Sequence, residues 1–232
     1  MLLPGFDGTG RLFSPLHKQL SNSVETIVLS YPNNKPLAYS ELCHLLKDEL
    51  PNTPYVLLGE SFGGPLAMLL SKRADINLKG IILCGSFVKN PRPLLTKILR
   101  PFLKPSHFRK ATPLWFINTF LPGDSQDKNL LKNIQFAAHE LTPEVYYYRL
   151  REIADVDVSD ILKKCKLPIL YLKANNDRIV SEASMKFVYE LGREVTVESF
   201  DAPHMLLQTQ PMQAANSIKS FLDKVAAERQ DC

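Results

Sequence analysis

The sequence predicts an α/β fold: about six mostly parallel strands, flanking helices and a helical cap insertion. Three observations carry this. Short apolar runs rich in β-branched residues alternate with helical patterns, as in a parallel sheet built from β–α crossovers. Between about Val88 and Val158 the alternation lapses and only helical patterns remain. The 232 residues are 45% hydrophobic and 22% charged, a globular composition of a length suited to one domain.

The chain opens on a strand at Leu2–Leu3, cut to a stub at Met1. Further strands are expected at Thr26–Ser30, Tyr55–Gly59, Gly80–Cys84, Ile169–Lys173 and Val195–Phe200. Most are nearly continuous in apolar character, the mark of strands covered on both faces. Helices are expected at about 40–50, 62–74, 181–191 and 211–228. Ser181 suits an N-cap, Gly192 lies just past that helix's end, and Pro211 suits a first turn. In the middle stretch, helical patterns cover Leu94–Leu103, Pro113–Leu121 and Asn129–Leu141. Thr142-Pro143-Glu144 then reads as N-cap, first-turn proline and first-turn acid of a helix reaching about Ala154. The organisation expected is a core of residues 1–87 and 159–232 with a cap at 88–158. If the chain is complete, Thr26–Ser30 becomes an exposed sheet edge, a liability or a pairing surface, and a homo-oligomer is compatible with it.

Composition excludes several classes. A net charge of only +4 is a mild excess and does not suit a nucleic-acid partner. No apolar run approaches the ~18 residues of a membrane span. Cys43, Cys84, Cys165 and Cys232 form no CxxC and no zinc spacing, so no metal is expected. They read as buried or incidental thiols of a reducing compartment. With no visible signal peptide, the expected location is cytoplasmic.

The most informative stretch is Tyr55-Val-Leu-Leu-Gly59-Glu60-Ser61-Phe62-Gly63-Gly64, a strand, then G-x-S-x-G, then a helical pattern. A serine on such a turn projects above the C-terminal edge of the sheet, and its neighbouring glycines let the chain pass without side-chain clashes. It also sits at a helix N-terminus, where free N–H groups favour an oxyanion. A serine hydroxyl needs a base to become a nucleophile. The strand at Ile169 opens into Asp177 and the strand at Val195 opens into His204, which places both on the serine's rim. Of five histidines, only His204 has this placement. Asp201 is too close to the histidine in sequence to reach around to Nδ1, so Asp177 is preferred. Asp155, Asp157 and Asp160 precede their strand and lie away from the rim. The amide of Phe62 is one candidate oxyanion donor. The second is the amide of Phe6, in the glycine-rich loop Pro4-Gly5-Phe6-Asp7-Gly8-Thr9-Gly10. That loop reads GxxGxG rather than GxGxxG, and no GK[ST] occurs, which argues against a nucleotide site.

With these pieces in place, the chain resembles the α/β-hydrolase superfamily, esterases and lipases included. LPGFDGTG (3–10), GESFGG (59–64), NDRIV (176–180) and APHMLL (202–207) follow in the family's order. The resemblance implies a Ser61–His204–Asp177 triad, Phe6 and Phe62 amides as the oxyanion hole, and a cap at residues 88–158. It implies a serine hydrolase acting on carboxylic esters of small to medium acyl chain, with no cofactor. The family's first two strands are absent. The LPGxDGTG loop is similar to that of plastid-type esterase/acyltransferase relatives, so a thioesterase or acyltransferase with the same triad is the alternative. No histidine has Asp five residues on, and this departure from the acyltransferase HxxxxD favours hydrolysis. A non-catalytic binding protein on the same fold would have a broken triad.

The cap is rich in large side chains, and Trp115 and Tyr146 are its candidates for lining an apolar acyl pocket. Residues 89–110 carry Lys89, Arg92, Lys97, Arg100, Lys104, Arg109 and Lys110 among leucines and Phe102, with no acid. This pattern suits a solvated basic face and, secondarily, contact with a membrane surface. Pro101 and Pro105 argue against one uninterrupted helix.

Overall fold

The computed structural model describes residues 1–72, 76–108, 121–122 and 127–227. Its centre is a parallel sheet of five strands in the order β1 (Leu2–Leu3), β2 (Tyr55–Glu60), β3 (Leu78–Cys84), β4 (Ile169–Ala174) and β5 (Val195–Phe200). Every residue of β2 is buried and all but one each of β3 and β4, whereas β5, at the edge, buries only Phe200. Continuous apolar sequence thus marks the middle of the sheet.

Helices cover both faces. On one side lie α2 (Tyr39–Leu46), α3 (Gly63–Ser71), α7 (Ser159–Lys164) and α8 (Glu182–Leu191). Their Leu42, Leu66, Leu162 and Val188 pack with Leu57, Ile81 and Tyr171 of the sheet. On the other lie α1 (Ser14–Leu20), α9 (Leu206–Thr209) and α10 (Pro211–Ala227), whose Leu16, Leu207 and Phe221 meet Leu58, Ile82 and Leu170. The remaining described helices, α4 (Pro93–Leu99), α5 (Lys128–His139) and α6 (Pro143–Asp155), lie in sequence between β3 and β4.

Two expectations are corrected. Thr26–Ser30 is not a sixth strand but a single parallel bridge, Val28 to Leu2, flanked by Leu2 N to Ile27 O at 2.7 Å and Leu29 N to Leu2 O at 2.9 Å. Among the described residues its one strand neighbour, β1, is two residues long and runs into Pro4, which has no N–H to extend a ladder. The pattern Leu94–Leu103 is likewise not one helix. α4 stops at Leu99 and a 3-10 turn, Arg100–Phe102, follows around Pro101. None of its residues is buried, and Leu94 and Phe102 are 77% and 70% exposed. Thr142 caps α6, its Oγ1 accepting from Val145 N at 3.4 Å. Residues 113–120 of the expected helix Pro113–Leu121, and Trp115 with them, lie outside the described residues. No helix among the described residues is long and apolar enough to cross a membrane.

Candidate active site

Ser61 follows β2 directly and has φ +48°, the left-handed region that a non-glycine residue seldom occupies. Its glycines are required by close approach. A Cβ at Gly59 would lie 2.5 Å from Gly63 O, and one at Gly63 would lie 2.4 Å from Leu3 O. The turn is tied down by Ser61 N donating to Cys84 O at 2.9 Å and Gly64 N donating to Ser61 O at 3.0 Å. α3 is buried along most of its length, so the tip is backed by a rigid unit.

The loops after β4 and β5 bring the other two expected side chains to the same point. His204 Nε2 lies 3.1 Å from Ser61 Oγ, and His204 Nδ1 lies 2.8 Å from Asp177 Oδ2. The second oxygen, Asp177 Oδ1, accepts from the amides of Ile179 and Val180, both at 2.8 Å. The carboxylate is therefore satisfied on both oxygens, with one directed at the imidazole. Gly85, with φ +47°, lets the chain after β3 pass beside this pair: its Cβ would stand 3.4 Å from Asp177 Oδ2. Asp201 instead accepts from Asn176 Nδ2 at 2.7 Å on the exposed rim. Asp155 pairs with Arg100, and Asp157 accepts from Ser159.

Electrostatics favour a basic imidazole. Burial alone would depress His204. The charge and hydrogen bond of Asp177 and the charge of Glu60 outweigh it, and the pKa lies above the ordinary 6.5. An imidazole so placed can take the Ser61 proton, and Asp177 can stabilise the cation that results.

The glycine-rich loop after β1 lies across from the elbow. A Cβ at Gly5 would be 3.8 Å from Ser61 Cβ. The Phe6 ring meets Phe62 edge-on at 6.3 Å and Tyr146 at 4.8 Å, and Tyr146 stacks on Phe108 at 4.7 Å. Phe6, Phe62 and Tyr146 are thus brought to one locus next to Ser61. Sequence reasoning missed three other residues there. Glu60 is buried behind the elbow. Arg149, only 2% exposed, reaches from α6 to Phe6 O and, at 2.6 Å, to Pro32 O. Tyr31 bonds the carbonyls of Pro4 and Gly5. Arg149 and Tyr31 act on backbone carbonyls, which leave no spacing signature. Glu60 was visible only as the variable residue of the motif.

Comparison with known proteins agrees with this architecture. The chain is 32% identical over 127 residues to phytyl ester synthase 1, chloroplastic, of Arabidopsis thaliana, covering 50% of this chain and 18% of that protein. It is 23% identical over 242 residues to a biotin biosynthesis bifunctional protein of Cellvibrio japonicus, covering 97% and 48%. The chain thus spans about half or less of the length of these relatives. A thermophilic esterase from Thermogutta terrifontis superposes with a TM-score of 0.78 at 19% identity, covering 97% of this chain and 89% of that one, a likeness of fold. Residues 39–208, which hold the elbow, Asp177 and His204, match the family described as serine aminopeptidase, S33. The chain belongs to that family of α/β hydrolases.

Proposed function

We propose that this α/β hydrolase cleaves carboxylic esters of small to medium acyl chain through an acyl-enzyme on Ser61. The observation that supports this is the hydrogen-bonded series Asp177–His204–Ser61 at the tip of the elbow. In this reading His204 Nε2 takes the hydroxyl proton as Ser61 Oγ adds to the ester carbonyl. The amides of Phe6 and Phe62 receive the oxyanion. The tetrahedral adduct collapses, and His204 passes its proton to the departing alkoxide. Water then repeats the addition on the acyl-enzyme, deprotonated by the same imidazole, and the acid leaves. These steps call on no metal or organic cofactor. Residues 88–158 form the cap, and Tyr146 lines the acyl pocket.

The test is a p-nitrophenyl ester chain-length series on the wild type and Ser61→Ala, with fluorophosphonate labelling. Cleavage peaking at short to medium chains, lost with Ser61→Ala, is the expected result. If the wild type cleaves no ester and Ser61 takes no label, the reading is wrong.

A second reading, acyl transfer by the same residues, is favoured by the identity to phytyl ester synthase. Adding an acceptor alcohol separates the two: transfer diverts acyl groups from free acid to the new ester.

We also propose that the exposed apolar turn of α4 and the Arg100–Phe102 segment, flanked by Lys97 and Lys104, touches anionic membrane surfaces. Its exposed leucines and Phe102 support this, because an apolar strip with a basic flank is the pattern such surfaces attract.

A further inference from the structure

Each candidate oxyanion amide belongs to a peptide unit whose carbonyl end is held by a buried hydroxyl. The unit joining Gly5 to Phe6 carries the Phe6 N–H and the Gly5 C=O. Tyr31 Oη lies 2.8 Å from that oxygen and shares its proton with Pro4 O. The unit joining Ser61 to Phe62 carries the Phe62 N–H and the Ser61 C=O. Ser86 Oγ donates to that oxygen at 2.7 Å. A peptide unit is planar and trans, so its N–H and C=O point in opposite directions. Holding the carbonyl from one side fixes the direction of the N–H on the other. A hydrogen bond to the carbonyl also polarises the amide and makes its N–H a stronger donor.

Both hydroxyls are themselves fixed. Ser86 is fully buried, and its own carbonyl accepts from Tyr171 Oη at 2.5 Å. The glycine beyond the G-x-S-x-G motif now has a reason: a Cβ at Gly64 would stand 1.8 Å from Ser86 Oγ. Tyr31 is buried, with the Arg149 guanidinium 4.9 Å from its ring centre and Gly8 against the ring edge. Burial pushes its phenol well above the ordinary 10, so it stays a donor at any working pH.

We infer that Tyr31 and Ser86 are positioning residues of the oxyanion hole, each aiming one amide N–H at the space beside Ser61 Oγ by holding the far end of its peptide unit. The inference rests on the ester-hydrolase reading. The oxyanion exists only after the nucleophile adds, so their effect belongs in kcat rather than KM.

The experiment compares wild type, Ser61→Ala, Tyr31→Phe and Ser86→Ala. Rates of wild type, Tyr31→Phe and Ser86→Ala are expressed per active site titrated with a fluorophosphonate, which removes misfolded protein from the count; Ser61→Ala, which cannot be titrated, is compared per mole of folded protein. For each hydroxyl removed, kcat should fall about 10-fold, less than the ~100-fold or more of deleting a donor outright, with KM changed less than about twofold. A trifluoromethyl ketone, whose adduct carries the oxyanion, should lose affinity by the same factor as kcat. Ser86→Cys, with its weaker donor, should fall between serine and alanine. Wild-type kcat per titrated site and unchanged ketone affinity in both variants would overturn the inference while Ser61→Ala remained inactive. Full activity in Ser61→Ala would instead overturn the ester-hydrolase reading, and the inference with it.

Discussion

Gln208 Nε2 donates to Glu60 Oε1 at 2.9 Å, and the two side chains form a buried polar pair behind the Ser61 elbow. Burial lifts Glu60 from the ordinary 4.5 to about 7, the bond from Gln208 opposes this, and the charge of Asp7 adds to it. The folded pKa lies above the unfolded one, so between them the native state binds more protons. That contribution to stability is full below about 4.5 and is lost as pH rises through about 7. Well above pH 7 an ionised Glu60 costs about 3 kcal/mol. Glu60→Gln should remove this loss. Urea denaturation from about pH 5 to about pH 9 should show the wild type weakening faster than the variant; parallel curves would contradict the assignment.

Activity should show the opposite limb. On the proposed mechanism His204 must be neutral to accept a proton, and its pKa is raised, so the rate should fall as pH drops, with a midpoint above 6.5. Glu60→Gln removes one of the charges that raise it and should move the midpoint down. A pH profile of kcat/KM for both proteins measures this. A midpoint unchanged by the substitution would show that Glu60 does not couple to His204.

Arg149 is the strut between α6 and the loop after β1. Arg149→Met keeps much of the packing but leaves Phe6 O and Pro32 O without their donor. The expected loss is about 2 to 5 kcal/mol of unfolding free energy. Hydrogen exchange should show extra opening of residues 5–9. Wild-type stability would mean that other donors take over those carbonyls.

Two glycines near the elbow should respond differently to alanine. At Gly63 a Cβ meets the backbone oxygens of Leu3 at 2.4 Å and Pro4 at 2.7 Å, which cannot move without shifting β1. At Gly5 nothing stands closer than 3.8 Å. Gly63→Ala should therefore lose folded protein or several kcal/mol, ~3 or more, and Gly5→Ala should melt within about 2 °C of wild type. Thermal melts of both decide it, and equal melts would show the packing has been misread.

The exposed α4 turn gives a prediction independent of the chemistry. Wild type should co-sediment with phosphatidylglycerol vesicles more than with phosphatidylcholine vesicles. Replacing Leu94 and Phe102 with glutamate should reduce this about 10-fold or more. Equal sedimentation of variant and wild type would sink the membrane-contact proposal.

Much of this architecture could be read from residues alone. The central strands announce themselves because burial on both faces demands unbroken apolar runs. The rim positions of Asp177 and His204 follow from strands that end just before them. Thr26–Ser30 has the same composition, but strand pairing depends on a partner, and β1 is too short to provide one. α7 and α9 went unpredicted because six and four residues carry too little periodicity. Tyr31, Ser86 and Arg149 were invisible for another reason. They recognise main-chain carbonyls, and any residue type can supply those.

Ser61, Asp177 and His204 leave from the ends of three different strands, and 143 residues separate Ser61 from His204. No contiguous fragment smaller than nearly the whole sheet can bring them together. The Asp177–His204–Ser61 arrangement is accordingly among the last features a refolding chain acquires, because non-local pairing lags behind local helix formation. On the proposed mechanism, a partly unfolded chain carries Ser61 without His204 beside it to take its proton.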